Sequence, residues 1–389
     1  MDSIYTGDAM KSTWAVALVV LSFSGCVRTP AEPDVGSVSE AELHLVFLGD
    51  IMAHDVNYRM QDYSRIYRYV SHLFNDADYV FGQLEFVIDP DRPQSSYPRF
   101  NVHPPYVEAA VGAGVRVFSV ANNHSTDFGE AGVEATLGSM QELARQEDVW
   151  FSGLNQESGE SRGPVSLPHD GFAIGFYAVT RLLNDTSGAD LVAYVPRYDL
   201  DATARFLRTL TDWTRDFDLF ILSVHDGIEY SQVADGQTVS FMTAAADAGV
   251  DIVWGHHPHV LQQWFVYDRD GDSRSPAVIM PSMGNFVSGQ TWQLTADRGE
   301  AAWAATGDSA VVRVIMRETP AGLLPDRIEA DMITHLRDPA GGVTVRLLDG
   351  LFEYEDLDNE WREFYRTRME RNQHFTRSIQ VGTEERTGE

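Results

Sequence analysis

Short apolar runs alternate with amphipathic segments along most of the chain, and this alternation limits the possible folds more than any other feature. Seven runs rich in β-branched residues predict strands, whereas residues 132–146 and 201–216 have the apolar spacing of helices. Alternating strands and helices indicate an α/β fold with mostly buried strands. The predicted strands span residues 43–48, 78–84, 115–121, 172–179, 218–224, 251–254 and 277–283.

Charge and cysteine content exclude several functions. Acidic residues outnumber basic ones 58 to 29, which gives a formal net charge of −29. A chain this acidic repels polyanions, so nucleic acid is not an expected partner. The single cysteine, Cys26, excludes an intrachain disulfide and a cysteine-rich zinc site.

The N-terminal residues resemble a bacterial lipoprotein signal. Lys11 precedes an apolar stretch over residues 14–21, and Ser24 and Gly25 come directly before Cys26. The stretch is too short to cross a bilayer as a helix. We therefore expect an exported protein that is anchored to a bacterial membrane, on its periplasmic or cell-surface side, through lipidated Cys26. The alternative is a cleaved secretory signal with an incidental cysteine.

The sequence predicts that the chain is divided into four segments. Residues 1–26 would be the signal peptide and 27–42, rich in Pro, Ser and Gly, a flexible tether. Residues 43–350 would form one main domain, closed by antiparallel strands after residue 285. Residues 351–389 would form a charged helix and a loose tail. The acidic stretch 268–273 is expected to be a hairpin turn between strands.

Side chains that bind metals follow almost every predicted strand. The carboxyl edge of the strands is where loops converge and ligands bind in open α/β sheets. Carboxylates, imidazoles and amide oxygens suit zinc, manganese or iron, so the sequence predicts a divalent-metal site at this edge. The residues concerned are Asp50, Glu85, Asn122, Asn123, His124, His225, Glu229, His256, His257, His259 and Asn285.

Three histidines occur within the four residues 256–259. If the backbone there is extended, alternate side chains point the same way, so that His257 and His259 face one metal position. His256 would then point elsewhere and be free to support a ligand or contact substrate.

These motifs resemble the CapA type of bacterial capsule-synthesis protein, which is associated with poly-gamma-glutamate and is similar to the calcineurin-like metallophosphoesterases. The match covers most of residues 43–290. The resemblance implies a single α/β sandwich of two central sheets flanked by helices. The matching motifs are GDIM at 49–52, QLE at 83–85, ANNHSTDFG at 121–129, HDGIEY at 225–230, GHHPH at 255–259 and GNF at 284–286.

Three residues depart from the family pattern. Gln83 stands where the family has Asn, and Asp226 stands where it has Trp. Met52 occupies the position at which a metallophosphoesterase has a ligand histidine, and a thioether is a poor ligand for a hard dication. His54 or Asp55 would be the substitutes.

The resemblance implies a role for each site residue. Two divalent ions, of Mn, Zn or Fe, would share the carboxylate of Glu85. His124 would be catalytic, either as a proton donor to a leaving oxygen or by stabilising a developing negative charge, and Asp50 would serve catalysis as a metal ligand. Asn122, His256, Glu229 and Asn285 would contact substrate, with Glu229 alternatively orienting His225, and Asp127 would shape a turn. The implied metal ligands are Asp50, Glu85, Asn123, His225, His257 and His259.

Three functions are compatible with these expectations. The first is an exported metal-dependent hydrolase acting on a phosphoester or envelope polymer. The second is a non-catalytic component that binds or exports polymer together with capsule-synthesis membrane proteins. The third is a metal-dependent amidohydrolase that cuts gamma-glutamyl or other envelope amide bonds.

Overall fold

The seven predicted strands are all present, within a larger set of β-strands and helices. The computed structural model describes residues 42–156, 163–269, 274, 276–292, 302–338, 340–353, 359–372 and 379–381. The predicted signal peptide, nearly all of the tether and most of the acidic turn at 268–273 lie outside these residues. Residues 40–389 form one compact unit.

The described residues form seventeen strands of very different lengths. The strands are β1 Glu42–Ile51, β2 Tyr79–Leu84, β3 Val87–Ile88, β4 Asn101–Val102, β5 Val117–Ser119, β6 Trp150–Ser152, β7 Val165–Leu167, β8 Ile174–Thr180, β9 Leu219–His225, β10 Ile252–His256, β11 Phe265–Tyr267, β12 Ala277–Met280, β13 Asn285–Val287, β14 Asp308–Thr319, β15 Gly322–Arg337, β16 Val343–Leu347 and β17 Ile379–Gln380.

Helices connect many of these strands. The helices are α1 Asp55–Tyr58, α2 Ser64–Tyr67, α3 Pro104–Ala113, α4 Gly129–Gln146, α5 Leu200–Trp213, α6 Gly236–Asp247 and α7 Asn359–Asn372. Side-chain oxygens of Asp199 and Asp235 cap the first turns of α5 and α6, which satisfies backbone N–H groups that have no partner inside the helix. None of the helices in the described part of the chain is long and apolar enough to cross a membrane.

Two sheets form the centre of the molecule. In the first sheet the strand order is β16-β15-β14-β1-β2-β5-β6, with β13 paired to β1 and β17 to β15. In the second sheet the order is β11-β12-β10-β9-β8-β7. The neighbouring strands β1, β2, β5 and β6 are parallel, as are β8, β9, β10 and β12. The long strands β14, β15 and β16 close the first sheet in antiparallel fashion, as predicted.

The two sheets pack face to face through large aromatic residues. The ring of Phe81 on β2 lies 5.6 Å from Phe176 on β8 and 6.0 Å from Trp254 on β10. The indole N–H of Trp254 donates to the carbonyl oxygen of Leu48, so this buried polar group is satisfied. Apolar side chains of α2, α3 and α4 join the same core, and α5 and α6 cover the other face of the second sheet. The predicted α/β sandwich of two sheets flanked by helices is confirmed.

This packing decides where the polar residues gather. Because the parallel strands of both sheets end on one edge of the sandwich, the segments after β1, β2, β5, β9 and β10 meet there. The ligand-type residues predicted from the sequence all lie in the last two residues of these strands, on the segments after them or at the start of β13.

Candidate metal centre

The six predicted metal ligands lie at this common edge. Each of three sets of His, Asp and Glu side chains has ligand atoms that all lie within 4.8 Å of one another. One set contains Asp50, Glu85 and His259, and a second contains Glu85, His225 and His257. The side chain of Glu85 is common to both, so the folded chain brings two adjoining sets of metal-type ligands together around one carboxylate.

Asp50 is the last residue but one of β1 and is held by two histidines. Its Oδ1 lies 2.7 Å from Nδ1 of His256, and its Oδ2 lies 3.1 Å from Nδ1 of His259. Burial opposes ionisation of the Asp50 carboxyl group, but these hydrogen bonds hold its pKa below its usual range. Asp50 is therefore a carboxylate throughout the neutral pH range.

Glycine is required next to Asp50. The backbone N–H of Asp50 donates to the carbonyl oxygen of Gly284 over 2.9 Å. A Cβ atom on Gly49 would overlap that same carbonyl oxygen. The absence of a side chain at residue 49 therefore lets β13 approach β1, which brings Asn285 beside Asp50.

Glu85 is the side chain whose surroundings best suit a cation. Its carboxylate is fully buried, and neither Oε1 nor Oε2 has a hydrogen-bond partner among the described residues. Oε1 lies 3.6 Å from Nε2 of His259 and 3.9 Å from Nε2 of His225, which is too long for hydrogen bonds. Burial raises the pKa of Glu85 well above its usual range. Burial without hydrogen bonds disfavours the free carboxylate, and a bound cation would offset this cost, so these residues fit divalent metal ions.

Asn123 and His225 face each other beside Glu85. Oδ1 of Asn123 lies 2.8 Å from Nε2 of His225, the last residue of β9. The imidazole of His225 is fully buried, and burial lowers its pKa well below its usual value. A neutral imidazole and an amide oxygen are both competent metal ligands.

His257 and His259 reach the centre by a different route from the predicted one. The expectation of an extended backbone is wrong, because His257 has φ 97° and His259 has φ 59°, both in the left-handed region. Such values cost a residue with a side chain on the order of 1–3 kcal/mol and cluster at functional sites. Their rings lie 6.0 Å apart. They belong to the two different sets that share Glu85, and both also belong to the third set, with Glu229, so the expectation that they can face one metal position still holds.

The two histidines also differ in charge. Burial lowers the pKa of His257 to about 3, so its imidazole is neutral at neutral pH. Burial acts in the same direction on His259, but the carboxylates of Glu85 and Asp50 outweigh it and raise its pKa to about 9. A divalent ion bound to Glu85 and Asp50 would replace this positive charge.

His256 and Asn285 contact ligand candidates. His256 does not point away from the centre, as was expected, because its Nδ1 bonds to Asp50. Oδ1 of Asn285 accepts from His259 at 3.0 Å, and its Nδ2 donates to Gln290, Ser288 and the carbonyl oxygen of Thr306. Both side chains are fully buried. Their contacts orient Asp50 and His259. For His256 this is the ligand-supporting role that the sequence left open, and for Asn285 it is a positioning role that was not expected. The substrate contacts of both residues stay a prediction.

Asn122 and Glu229 have opposite surroundings. Asn122 is buried, donates to the carbonyl oxygen of Leu84 and accepts from the backbone N–H of His124, so it joins two loops of the centre. Glu229 is exposed, and its carboxylate lies within 4.8 Å of nitrogens of His257 and His259. Of the four predicted substrate contacts, Glu229 alone has an exposed side chain in the structure.

His124 is oriented by residues that the sequence did not identify as functional. Its Nδ1 lies 2.8 Å from Oδ2 of Asp127, which also accepts from the backbone N–H of Phe100. Nδ2 of Asn184 lies 3.3 and 3.4 Å from the two ring nitrogens of His124. Asp127 was expected only to shape a turn, and Asn184 was not predicted. The sequence feature that could have indicated a functional role for Asn184 is its position four residues after the end of β8, at the same edge of the sheet.

The residues that depart from the family pattern are all buried or paired. Met52 is buried beside Asp50, and neither of its proposed substitutes belongs to a set of metal-type ligands in the described structure. Nδ1 of His54 accepts from the backbone N–H of Gly289, and Asp55 forms an ion pair with Arg59. The position of Met52 is therefore not refilled by a nearby ligand.

Asp226 and Gln83 lie behind the ligands. The carboxylate of Asp226 is buried and lies 2.7 Å from Nη1 of Arg197, which compensates its charge. The amide of Gln83 is buried on β2, and neither its oxygen nor its nitrogen has a hydrogen-bond partner in the described part of the chain. We have no structural explanation for the unpartnered Gln83 amide.

Together these features define a class of protein. Two packed sheets with helices outside, and carboxylate, imidazole and amide side chains at the common strand ends, form a metallophosphoesterase-like α/β protein. The family model for the bacterial capsule synthesis protein PGA_cap matches residues 44–290, and the chain belongs to this family. The resemblance inferred from the motifs is confirmed.

Two similar proteins come from bacilli. The capsule biosynthesis protein CapA of Bacillus anthracis is 28% identical over 323 residues, which cover 79% of this chain and 72% of that protein. The PGA biosynthesis protein CapA of Bacillus subtilis (strain 168) is 27% identical over 357 residues, covering 87% of this chain and 89% of that protein. A crystal structure of a hypothetical protein from Thermus thermophilus aligns with a TM-score of 0.44 and 16% identity, over 75% of this chain and 98% of that one.

Proposed function

We propose that the protein is a metal-dependent hydrolase of capsule or cell-envelope polymer metabolism, which acts on a phosphoester. The observation that carries the proposal is the buried carboxylate of Glu85. Its two oxygens lack hydrogen-bond partners in the described structure and are shared by two sets of metal-type ligands. Membership of the capsule-synthesis family supports the biological setting.

Each ligand set has the residues to hold one divalent ion. Asp50, Glu85 and His259 would hold the first ion, and Glu85, His225, His257 and Asn123 the second. When bound, such ions neutralise phosphoryl oxygens and lower the pKa of coordinated water toward neutrality. Carboxylate, imidazole and amide ligands suit Mn, Zn and Fe alike, so the ligand set leaves the metal open.

His124 is placed to move a proton. Asp127 holds its Nδ1 at 2.8 Å, whereas Nε2 has only the longer contact of 3.4 Å with Nδ2 of Asn184, so Nε2 is the nitrogen that we assign to the leaving group. We propose that a water oxygen bonds to the phosphorus of a phosphodiester while the P–O bond to the leaving group breaks, and that Nε2 donates its proton to the leaving oxygen. An alcohol departs, a phosphomonoester stays, and the proton that the water loses restores the protonated imidazole. Asn123, the chain neighbour of His124, brings this imidazole next to the proposed ligands.

A non-catalytic role is the second candidate. Both bacillar relatives are named for biosynthesis of capsule or PGA, which favours binding or export of a polymer over its cleavage. In this alternative the same ions would hold carboxylates of a poly-gamma-glutamate chain for capsule-synthesis membrane proteins. The amidohydrolase alternative differs from the phosphoesterase only in the bond that is cut.

One experiment separates these functions. The full-length protein is purified, its metals are counted by elemental analysis, and it is assayed against bis(p-nitrophenyl) phosphate and gamma-glutamyl p-nitroanilide. Bound metal with phosphodiester turnover supports the proposal, and turnover of the anilide alone supports the amidohydrolase. Bound metal without turnover supports the non-catalytic role. A protein that binds no Mn, Zn or Fe contradicts all three.

We also propose that the protein is exported and anchored through Cys26. The support is the spacing of Lys11, the apolar stretch at 14–21 and Cys26. A substrate in the cell envelope would then lie on the same side of the membrane as the metal centre.

A further inference from the structure

Apolar side chains are exposed beside the metal centre. Seven large hydrophobic residues are exposed in the described part of the chain. Four of them, Tyr97, Ile228, Tyr230 and Val233, lie in the segment between β3 and β4 and in the segment after β9. We call Tyr97, Ile228 and Tyr230 the apolar rim. Single exposed hydrophobic residues are common on proteins, whereas several beside one polar site mark a binding surface.

Tyr230 connects the rim to the His259 side of the centre. Its ring lies 6.3 Å from the imidazole of His259. Its backbone has φ 63°, in the left-handed region, and its N–H donates to the carbonyl oxygen of Pro258 at 2.8 Å. Since this conformation is costly for a tyrosine, the contact between the two loops holds the ring at the edge of the site.

Tyr97 connects the rim to the His124 side. Its ring lies 6.5 Å from Phe100, and the ring of Phe100 lies 4.8 Å from His124. The rim therefore extends from the proposed proton donor to a proposed metal ligand.

Ile228 makes the rim aliphatic as well as aromatic. It is 55% exposed, and Tyr97 is 75% exposed. The side chain of an exposed isoleucine forms no hydrogen bonds or ion pairs with a ligand. Contact with an alkyl group, however, removes apolar surface of both from water, which favours binding. The carboxylate of Glu229, between Ile228 and Tyr230, repels anionic groups of a ligand. An anionic group is therefore favoured only where bound metal ions would compensate its charge.

We propose that the ligand of this centre is an amphiphilic phosphoester, with its phosphoryl group at the metal ligands and its apolar chain on the rim of Tyr97, Ile228 and Tyr230. This inference rests on the proposed function, because the metal centre must hold the phosphoryl group. It names a substrate class that combines an anionic head with an alkyl part, such as a lipid-linked envelope phosphoester.

The test compares two inert ligands that differ only in the alkyl chain. Methylphosphonate and hexylphosphonate are titrated by calorimetry into the full-length protein loaded with manganese. We expect hexylphosphonate to bind at least tenfold more tightly, because burial of methylene groups adds affinity. In Tyr97→Ser/Ile228→Ser the advantage falls to about twofold or less, while binding of methylphosphonate is unchanged. Both substituted side chains are exposed, so the fold is retained.

A matched control changes a tyrosine elsewhere. Tyr69→Ser removes an exposed tyrosine that packs against Arg346, and it should keep the full preference for hexylphosphonate. Equal affinity for the two phosphonates would refute binding of the alkyl chain by the apolar rim, but it would still support binding of the phosphoryl group by the metal centre. If neither phosphonate binds, both the proposed metal centre and the proposed role of the apolar rim are refuted. Tighter binding of a gamma-glutamyl oligomer than of hexylphosphonate would also overturn the rim.

Discussion

Nδ1 of His256 lies 2.7 Å from Oδ1 of Asp50, and both side chains are buried between the two sheets. The residues are 206 positions apart in the chain. The contact leaves Asp50 ionised and fixes the direction of its oxygens, as residues behind metal ligands commonly do.

His256→Ala should weaken metal binding without changing the ligands themselves. Because Asp50 loses one of the two imidazoles that hold it, we expect a 10- to 100-fold loss of affinity. Competition with a chelating dye measures this change. Trp254→Phe is the control, because it removes a different buried hydrogen bond of β10, from the indole N–H to Leu48, and leaves His256 in place. It shows whether a disturbance of β10 is sufficient to weaken metal binding. An unchanged affinity in His256→Ala would show that Asp50 needs no such support.

Glu85→Gln should separate metal binding from stability. The variant loses the shared carboxylate, so elemental analysis should show a marked drop in bound metal. In the metal-free state it should unfold at a higher temperature than the wild type, by an amount corresponding to about 1 kcal/mol, because a buried unpaired carboxyl group is removed. Full metal content in this variant would refute the role of Glu85.

His124→Asn should retain metal and lose turnover of a phosphodiester. Loss of a proton donor costs typically 10²- to 10⁴-fold in kcat. Asp127→Asn, which keeps the shape of the side chain but not its charge, should lose less. Steady-state rates with metal content measured on the same samples test both variants. Wild-type rates in His124→Asn would remove it from the mechanism.

Low pH should destabilise the metal-free protein through His335. This imidazole is buried on β15, and its Nε2 donates to the carbonyl oxygens of Asn285 and Phe286. Burial lowers its pKa to about 4, against about 6.5 in the unfolded chain. The unfolded state thus binds the proton more readily, and stability present above pH 6.5 is lost as the pH falls toward 4, by up to ~3 kcal/mol.

Urea unfolding between pH 7 and 4.5, with chelator present, measures this loss. Other buried histidines contribute to the total, so the informative quantity is the difference between the wild type and His335→Gln. The variant should have the shallower pH dependence. Equal slopes for the two proteins would show that His335 does not take up a proton on unfolding.

Cys26→Ser should release the protein from the membrane. If Cys26 carries the lipid, the wild type fractionates with membranes and the variant with the soluble fraction. Lys11→Ala provides a comparison, since it changes the basic start of the segment but not the lipid-bearing residue. Membrane association of Cys26→Ser equal to that of the wild type would leave the segment as an ordinary secretory signal.

The positions of the strands and the chemistry after them followed from the sequence. The apolar runs predicted β1, β2, β5, β8, β9, β10 and β12, because buried parallel strands need continuous apolar residues. Motifs at the ends of these strands gave the family, which the match over residues 44–290 confirms. The pairing of His124 with Asp127 was less accessible, because a three-residue spacing in a loop does not fix a side-chain direction.

The sequence by itself determined which elements form and which chemical groups follow them, since these depend on local apolar periodicity and residue type. Only the tertiary structure decided how those groups face one another. The left-handed backbone of His257 and His259, the contact of His256 with Asp50 and the placement of Asn184 beside His124 all depend on the packing of two sheets. The two side-chain contacts arise between residues far apart in the chain, where no local pattern specifies the distance or direction of a side chain.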